Sequence, residues 1–319
     1  MSTQVPTDHV QPPAPPEPLR SHSFWREAFG IRGSVTLRVS RDVLIFTAIS
    51  LVIYLLNYAI HPELGVDVTP FEVAGAALGL LLVLRTNAGY DRWWEARKLW
   101  GGIVNQCRGL VSSAMSYGPD DPEWFDRLAR WTICFAHVSR RSLRNEREIP
   151  EVAALLGPEA AAEIAAARHM PTAVHLRLGA LLREGLERSG RDPIVMLPSE
   201  QERLKLIDHI GACERILKSP LPRVYGIKIR RFIFLFLASL PFALLDRLGW
   251  LTPFVTMLVA YPILSIDHIG VALQNPFNVR ELGHLPLDDI CATIEGDLLA
   301  MVSDSSLQGE AMDPDATLR

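Results

Sequence analysis

The chain has little of what most soluble enzymes rely on. Its 319 residues hold four cysteines, Cys107, Cys134, Cys213 and Cys291, and no two form a CxxC pair. That spacing argues against a zinc ribbon and a disulfide framework. No GxGxxG, GxxxxGKS/T or GxSxG occurs, so phosphate-cradling loops and an esterase elbow lack support. His137, His175 and His209 form no HExxH or ExxH pair, and no metal site is expected. Excess positive charge is missing too: 32 Lys and Arg stand against 36 Asp and Glu, a net charge of −4, so no basic field points to nucleic acid. Charged residues make up 21% of the chain, somewhat below the roughly 25% usual in soluble domains.

What the chain does have is apolar residue, 49% of the total, at a mean hydropathy of +0.15. That is ample apolar surface to offset chain entropy, so the bulk is not disordered. Only the polar ends, residues 1–22 with their many prolines and residues 303–319, read as disordered tails. Four apolar runs stand out: Val43–Ile60, Val73–Leu84, Phe232–Leu245 and Leu251–Ile266, the last continuing to Leu273 if Asp267 and His268 are tolerated. The first has no charge over its whole length, close to the ~20 residues that cross a bilayer core.

The cations are placed with a sign pattern. Arg20, Arg26, Arg32, Arg38 and Arg41 precede the first run, and none lies between the first and second. Arg85, Arg92, Arg97 and Lys98 follow the second; Lys218, Arg223, Lys228, Arg230 and Arg231 precede the third. Cationic flanks favour the cytoplasm. The expected topology has both termini inside, short outer loops bearing Glu63 and Asp67, and a large inner segment over 85–231.

That segment shows no alternation of strand type and no internal repeat. Apolar residues recur at steps of three and four over Tyr90–Ser113, Pro122–Arg144, Leu176–Arg188 and Glu200–Leu217, with short Ala-rich helices on both sides of Gly157. The second span is expected to run straight into the Tyr90 helix, with Gly89 as a possible bend. Tryptophans 93, 94, 100, 124 and 131 at helical spacing read as core rather than as a stacking platform.

Within the second span, Glu72, Ala76, Leu80 and Leu84 are spaced by four and share one face, with Gly75 and Gly79 on an adjoining face. A ring of identical helices would turn that face toward an axis. Leu80 and Leu84 would then form an apolar constriction and Glu72 an outer carboxylate ring; an ordinary intramembrane packing face is the alternative. Asp267 beside His268 permits a second reading, a membrane-anchored helical enzyme using that pair as base or proton relay. The plainer reading is that the two mark the cytoplasmic end of the fourth span.

Three stretches together resemble the bestrophin-like channels, above all their bacterial and plastid members. They are AGYDRWWEARKLWG (Ala88–Gly101), ERILKSPLPRVYGIKIRR (Glu214–Arg231) and NPFNVRELGHLPLDDIC (Asn275–Cys291). The motif residues are Arg92, Trp93 and Trp94 in the first, and Asn275, Pro276 and Phe277 in the last. The resemblance implies an all-α membrane protein with four transmembrane helices and a large helical cytosolic region, assembled as a homopentamer around one axial pore. The implied division is a tail (1–22), two spans with the neck (23–84), the helical cytosolic region (85–231), two spans (232–273), a C-terminal cytosolic segment (274–302) and a tail (303–319). It implies a pore neck of Ala76, Leu80 and Leu84, a cytosolic aperture at Ile229, and conduction of monovalent ions, chloride among them, across a bacterial inner membrane. Its partners would be further copies of itself, the lipid bilayer and the permeant ions, with no nucleic acid. Animal members follow NPF with an acidic run that helps build a calcium clasp. Here Asn278, Val279, Arg280 and Glu281 follow, too little carboxylate for six to eight oxygen ligands, so no cofactor is expected.

Overall fold

The computed structural model of the chain describes Trp25, Gly30, residues 35–60 and residues 65–311, with side chains to Asp304. The expected tail at 1–22 and Glu63 of the outer loop lie outside the described residues. Every regular element among the described residues is helical. In chain order they are α1 (Thr36–Ile60), α2 (Thr69–Tyr117), α3 (Pro122–Leu143), α4 (Pro150–Leu156), α5 (Pro158–Ala166), α6 (Met170–Ser189), α7 (Leu197–Lys218), α8 (Arg223–Leu248), α9 (Thr252–Ala272) and α10 (Leu287–Ala311).

Local signals account for the boundaries. Proline stands in the first turn of α2 through α7 and of α9, where its fixed φ suits the helix and its missing N–H costs nothing. Asp121 caps α3, accepting from the backbone N–H of Glu123 and Trp124 at 3.1 Å each. α8 and α9 are joined by a short 3₁₀ turn in which Gly249 has a φ of +51°, a conformation that side-chain-bearing residues adopt at a cost. Arg230 near the start of α8 reaches Asp267 near the end of α9, so the two run antiparallel as a hairpin.

Three helical stretches are long and apolar enough to cross a membrane: Thr36–Ile60, Thr69–Tyr117 and Arg223–Ala272, the last being the α8–α9 hairpin. At 1.5 Å per residue α2 is about 73 Å long, more than twice a hydrocarbon core of ~30 Å. One helix therefore both spans and protrudes, as the sequence predicts. It passes Gly89 as unbroken helix; a Cβ there would lie 2.9 Å from the carbonyl oxygen of Gly270. Gly89 is thus where α2 and α9 backbones approach each other.

Two cores follow from this layout. Phe46, Leu78, Leu82, Ile233, Phe236, Leu237 and Ala260 join α1, α2, α8 and α9. Ser50 and Thr256 add a hydroxyl contact of 3.1 Å between α1 and α9. The second, larger core gathers the far half of α2 with α3 to α7 and α10 around Trp100, Trp124 and Phe135, all fully buried. Trp100 and Trp124 are core, as their spacing predicts; Trp94, expected in the core with them, is 47% exposed instead. Of the C-terminal tail expected over 303–319, the part to Ala311 is helix instead, because α10 runs on from buried Cys291, Ile294 and Leu298; residues 312–319 lie outside the described residues.

Candidate functional site

α2 has two unlike faces. One is buried at Leu78, Leu82, Arg85 and Gly89, and again from Ala96 to Ala114. The other is exposed at Glu72, Ala76, Leu80 and Leu84, and continues through Asn87, Asp91, Arg97 and Lys98. Leu80 is 62% and Leu84 51% exposed. Among the described residues nothing covers this apolar strip, which turns polar along one unbroken helix. Gly75 and Gly79 divide: a Cβ at Gly75 would lie 3.3 Å from the ring of Phe236, whereas at Gly79 it would meet nothing within 4 Å. Gly75 admits α8, and Gly79 belongs to the open face.

Ile229 is not on an open face. It is 3% exposed and sits in the first core, because α8 is already one continuous helix from Arg223 and its register turns Ile229 toward α1 and α2. The expected aperture residue Ile229 is therefore packed rather than open within the chain. The exposed apolar residues of this corner are Val224 and Ile227.

Beneath the strip lies a charged cluster that reading the chain segment by segment missed. Arg85 of α2 donates to Asp267 of α9, and Arg230 of α8 donates through Nε at 3.2 Å to the other oxygen of the same carboxylate. Arg85 and Asp267 are both buried. By sequence Arg85 is one of several cationic flanks and Asp267 a span end; only an Asp inside an apolar run hints at a partner. Asp267 faces Arg85 and Arg230 rather than His268, so the acid–histidine pair of the enzyme reading does not form.

The motif residues hold α2 in place. Arg92 donates through Nε to the Gln274 carbonyl at 3.1 Å, through Nη1 to Ser219 at 2.7 Å, and through Nη2 to Ile216. It thus satisfies carbonyls at the C-terminal ends of α7 and α9, where cations are favoured. Trp93 donates through Nε1 to Gly283 at 2.7 Å. Trp94 is exposed and stacks nearly parallel to Tyr90, centroids 6.5 Å apart. Asn275 accepts from the Phe277 N–H at 3.2 Å, Pro276 accepts from Leu285 at 2.7 Å, and the Phe277 ring is buried in the second core. NPF is thus a turn that plants one ring.

Chemistry of the enzymatic kind finds no constellation among the described residues. No three His, Cys, Asp or Glu come together in a metal-holding group. His137 contacts Glu295, His175 contacts Arg203 and His209 contacts Gln106, so the three histidines stay apart. Burial pushes the thiols of Cys134, Cys213 and Cys291 up to about 12, leaving them protonated and inert.

Comparison with known proteins bears on the same residues. The family model described as bacterial/fungal bestrophin protein matches residues 18–300. The chain is 33% identical over 297 residues to the voltage-dependent anion channel-forming protein YneE of Escherichia coli K12, covering 92% of this chain and 97% of that protein. It is 34% identical over 275 residues to a voltage-dependent anion channel-forming protein of Mesorhizobium japonicum, with 86% and 88% covered. A crystal structure of a bacterial bestrophin homologue from Klebsiella pneumoniae superposes with a TM-score of 0.76 at 28% identity, over 85% of this chain and 99% of that one.

Proposed function

Because the chain belongs to the bacterial and fungal bestrophin family, we propose that five copies assemble around one axial pore lined by the open face of α2, through which small monovalent ions pass. It is a membrane channel protein of that family and not an enzyme. The observation that carries the pore is the strip from Glu72 to Leu84, unpartnered among the described residues while the opposite side of the same helix is packed.

In a ring of copies, Leu80 and Leu84 form a neck narrow enough to gate by dewetting. Ala76, with its smaller side chain, leaves the outer level wider. Glu72 places a ring of carboxylates at the outer mouth, which repels anions and admits cations. Relatives carry the name of anion channel-forming proteins; in this chain Glu72 weakens that preference. Both termini face the cytoplasm of a bacterial inner membrane, in keeping with the Arg-rich flanks of the spans. Gating does not use a calcium clasp: after Phe277 the one carboxylate up to Glu281 is Glu281 itself, and it is paired with Arg38 at 2.8 Å.

Reconstitution into liposomes with ion-flux and reversal-potential recording tests the reading. Glu72→Gln is expected to raise the chloride-to-sodium permeability ratio, and an unchanged ratio rejects the outer ring. Leu84→Ala is expected to raise conductance by widening the neck; no change rejects its place on the axis. In detergent the particle should carry five times the 35.5 kDa of one chain.

A further inference from the structure

A cavity of about 510 Å³ opens where the end of α3, the end of α7 and the loop after α9 meet. Its polar wall consists of Arg144, Asn145, Glu146, Asn275, Asn278 and Arg280. These side chains offer mostly donors. Arg144 donates through Nη1 and Nη2 to Asp288 at 3.0 and 2.6 Å, while its Nε is buried with no acceptor. The Arg280 guanidinium has no hydrogen bond or ion pair among the described residues, because the neighbouring Glu281 is taken by Arg38. Asn275 and Asn278 accept through Oδ1 from the backbone N–H of Phe277 and Arg280, which leaves each Nδ2 as an unengaged donor. Asn145 adds a third amide from a left-handed backbone, φ +58°, the one positive φ at a non-glycine among the described residues.

The charges do not balance. Four guanidiniums, those of Arg140, Arg141, Arg144 and Arg280, gather here against three carboxylates, Glu146, Glu151 and Asp288. Glu146, the carboxylate in the wall, is held by Arg141 at 2.6 Å. Glu151 bridges Arg140 and Arg141, and Asp288 bridges Arg140 and Arg144. What is left over is the positive charge of Arg280, beside three amide donors. One free guanidinium fork and amide donors spread across one wall match the several oxygens of an oxyanion better than a single spherical ion.

We propose that this cavity binds a phosphate-bearing anion, with Arg280 as its principal charge and Asn145, Asn275 and Asn278 as donors. The site is formed by the loop that Arg92 and Trp93 tie to α2. An occupant would brace that loop against α3. Binding itself does not depend on the pore reading.

The test uses the full chain in uncharged detergent, with melting followed by tryptophan fluorescence. Sodium phosphate is titrated against sodium chloride at constant ionic strength. A parallel series uses phosphatidylcholine nanodiscs with and without phosphatidic acid. The expected result is saturable stabilisation whose midpoint rises about tenfold or more in Arg280→Gln, as for loss of a charge-assisted contact. Arg183→Gln, an exposed change on α6, should leave it unmoved. Asn278→Asp, which places a carboxylate on the wall, should abolish it. Stabilisation by phosphate assigns the site to a soluble anion; stabilisation only by phosphatidic acid, still dependent on Arg280, assigns it to a lipid phosphate. Absence of saturable stabilisation in both series, or an Arg280→Gln midpoint equal to that of the parent, overturns the proposal.

Discussion

Replacing Asp267 by leucine should destabilise the membrane-side core far more than replacing Asp267 and Arg85 together. The Arg85 side chain is 4% exposed and that of Asp267 10%, so solvent screens this pair little. Leucine at 267 leaves a buried guanidinium with no counter-charge, and its Nε already lacks a partner. Breaking a buried pair from one side costs about 3–5 kcal/mol, or roughly two to three and a half decades in the unfolding equilibrium. Arg230 contributes little, since its side chain is 61% exposed and exposed pairs are worth about 0–1 kcal/mol. The double replacement Arg85→Met with Asp267→Leu removes both charges and fills their volume with apolar atoms, a change that is often neutral within about 1 kcal/mol. The Asp267→Leu and double variants and the Arg85→Met single variant can be compared by sodium dodecyl sulfate titration in mixed micelles, followed by tryptophan fluorescence. A single-site cost below about 1 kcal/mol, or a double variant as unstable as the Asp267 single variant, would refute the reasoning.

Two further predictions concern the second core. Burial by itself would raise the Glu151 carboxyl, but the Arg141 hydrogen bond and the charge of Arg140 outweigh it and bring it down to about 2. A lowered carboxyl contributes stability that is present above its ordinary value of 4.5 and lost as pH falls toward 2. Glu151→Gln should therefore cost on the order of 2 kcal/mol at neutral pH and flatten the melting profile between those limits; an unchanged profile contradicts the assignment. Phe277→Ala should cost about 3–5 kcal/mol by leaving a cavity at a fully packed site. It should also raise amide exchange across residues 275–285, where the loop would lose its anchor; unchanged exchange would show that Pro276 and Leu285 hold it alone.

Much of the architecture was legible along the chain because helical periodicity and apolar length are local properties. The uncharged run Val43–Ile60 announces α1 by itself, and the steps of three and four from Trp93 to Val111 announce the far half of α2. The four-residue spacing of Glu72, Ala76, Leu80 and Leu84 identifies a shared face, and the structure leaves that face open. Proline in first turns and Gly249 between the last two spans mark most of the remaining ends. The motifs RWWEARK and NPF were visible as a family resemblance, but their physical work was not. Arg92 binds carbonyls that are 124 to 182 residues away in sequence, and no pattern near Arg92 encodes them.

What tertiary structure alone decided is which side of a helix meets which neighbour. Ile229 and Ile227 are equally apolar and two residues apart, yet one is buried in the first core and the other exposed; the register with which α8 meets its neighbours makes that choice. Arg85 and Asp267 look like span-end charges until α2 and α9 bring them into one buried pair. Arg144 and Arg280 become one donor-rich wall only because α3 and the loop after α9 converge. Sequence by itself determined most of the helices and the apolar strip of α2, since each depends on residues within a few turns. The assignment of charges to partners, and of faces to core or opening, was decided by distances between elements far apart in the chain.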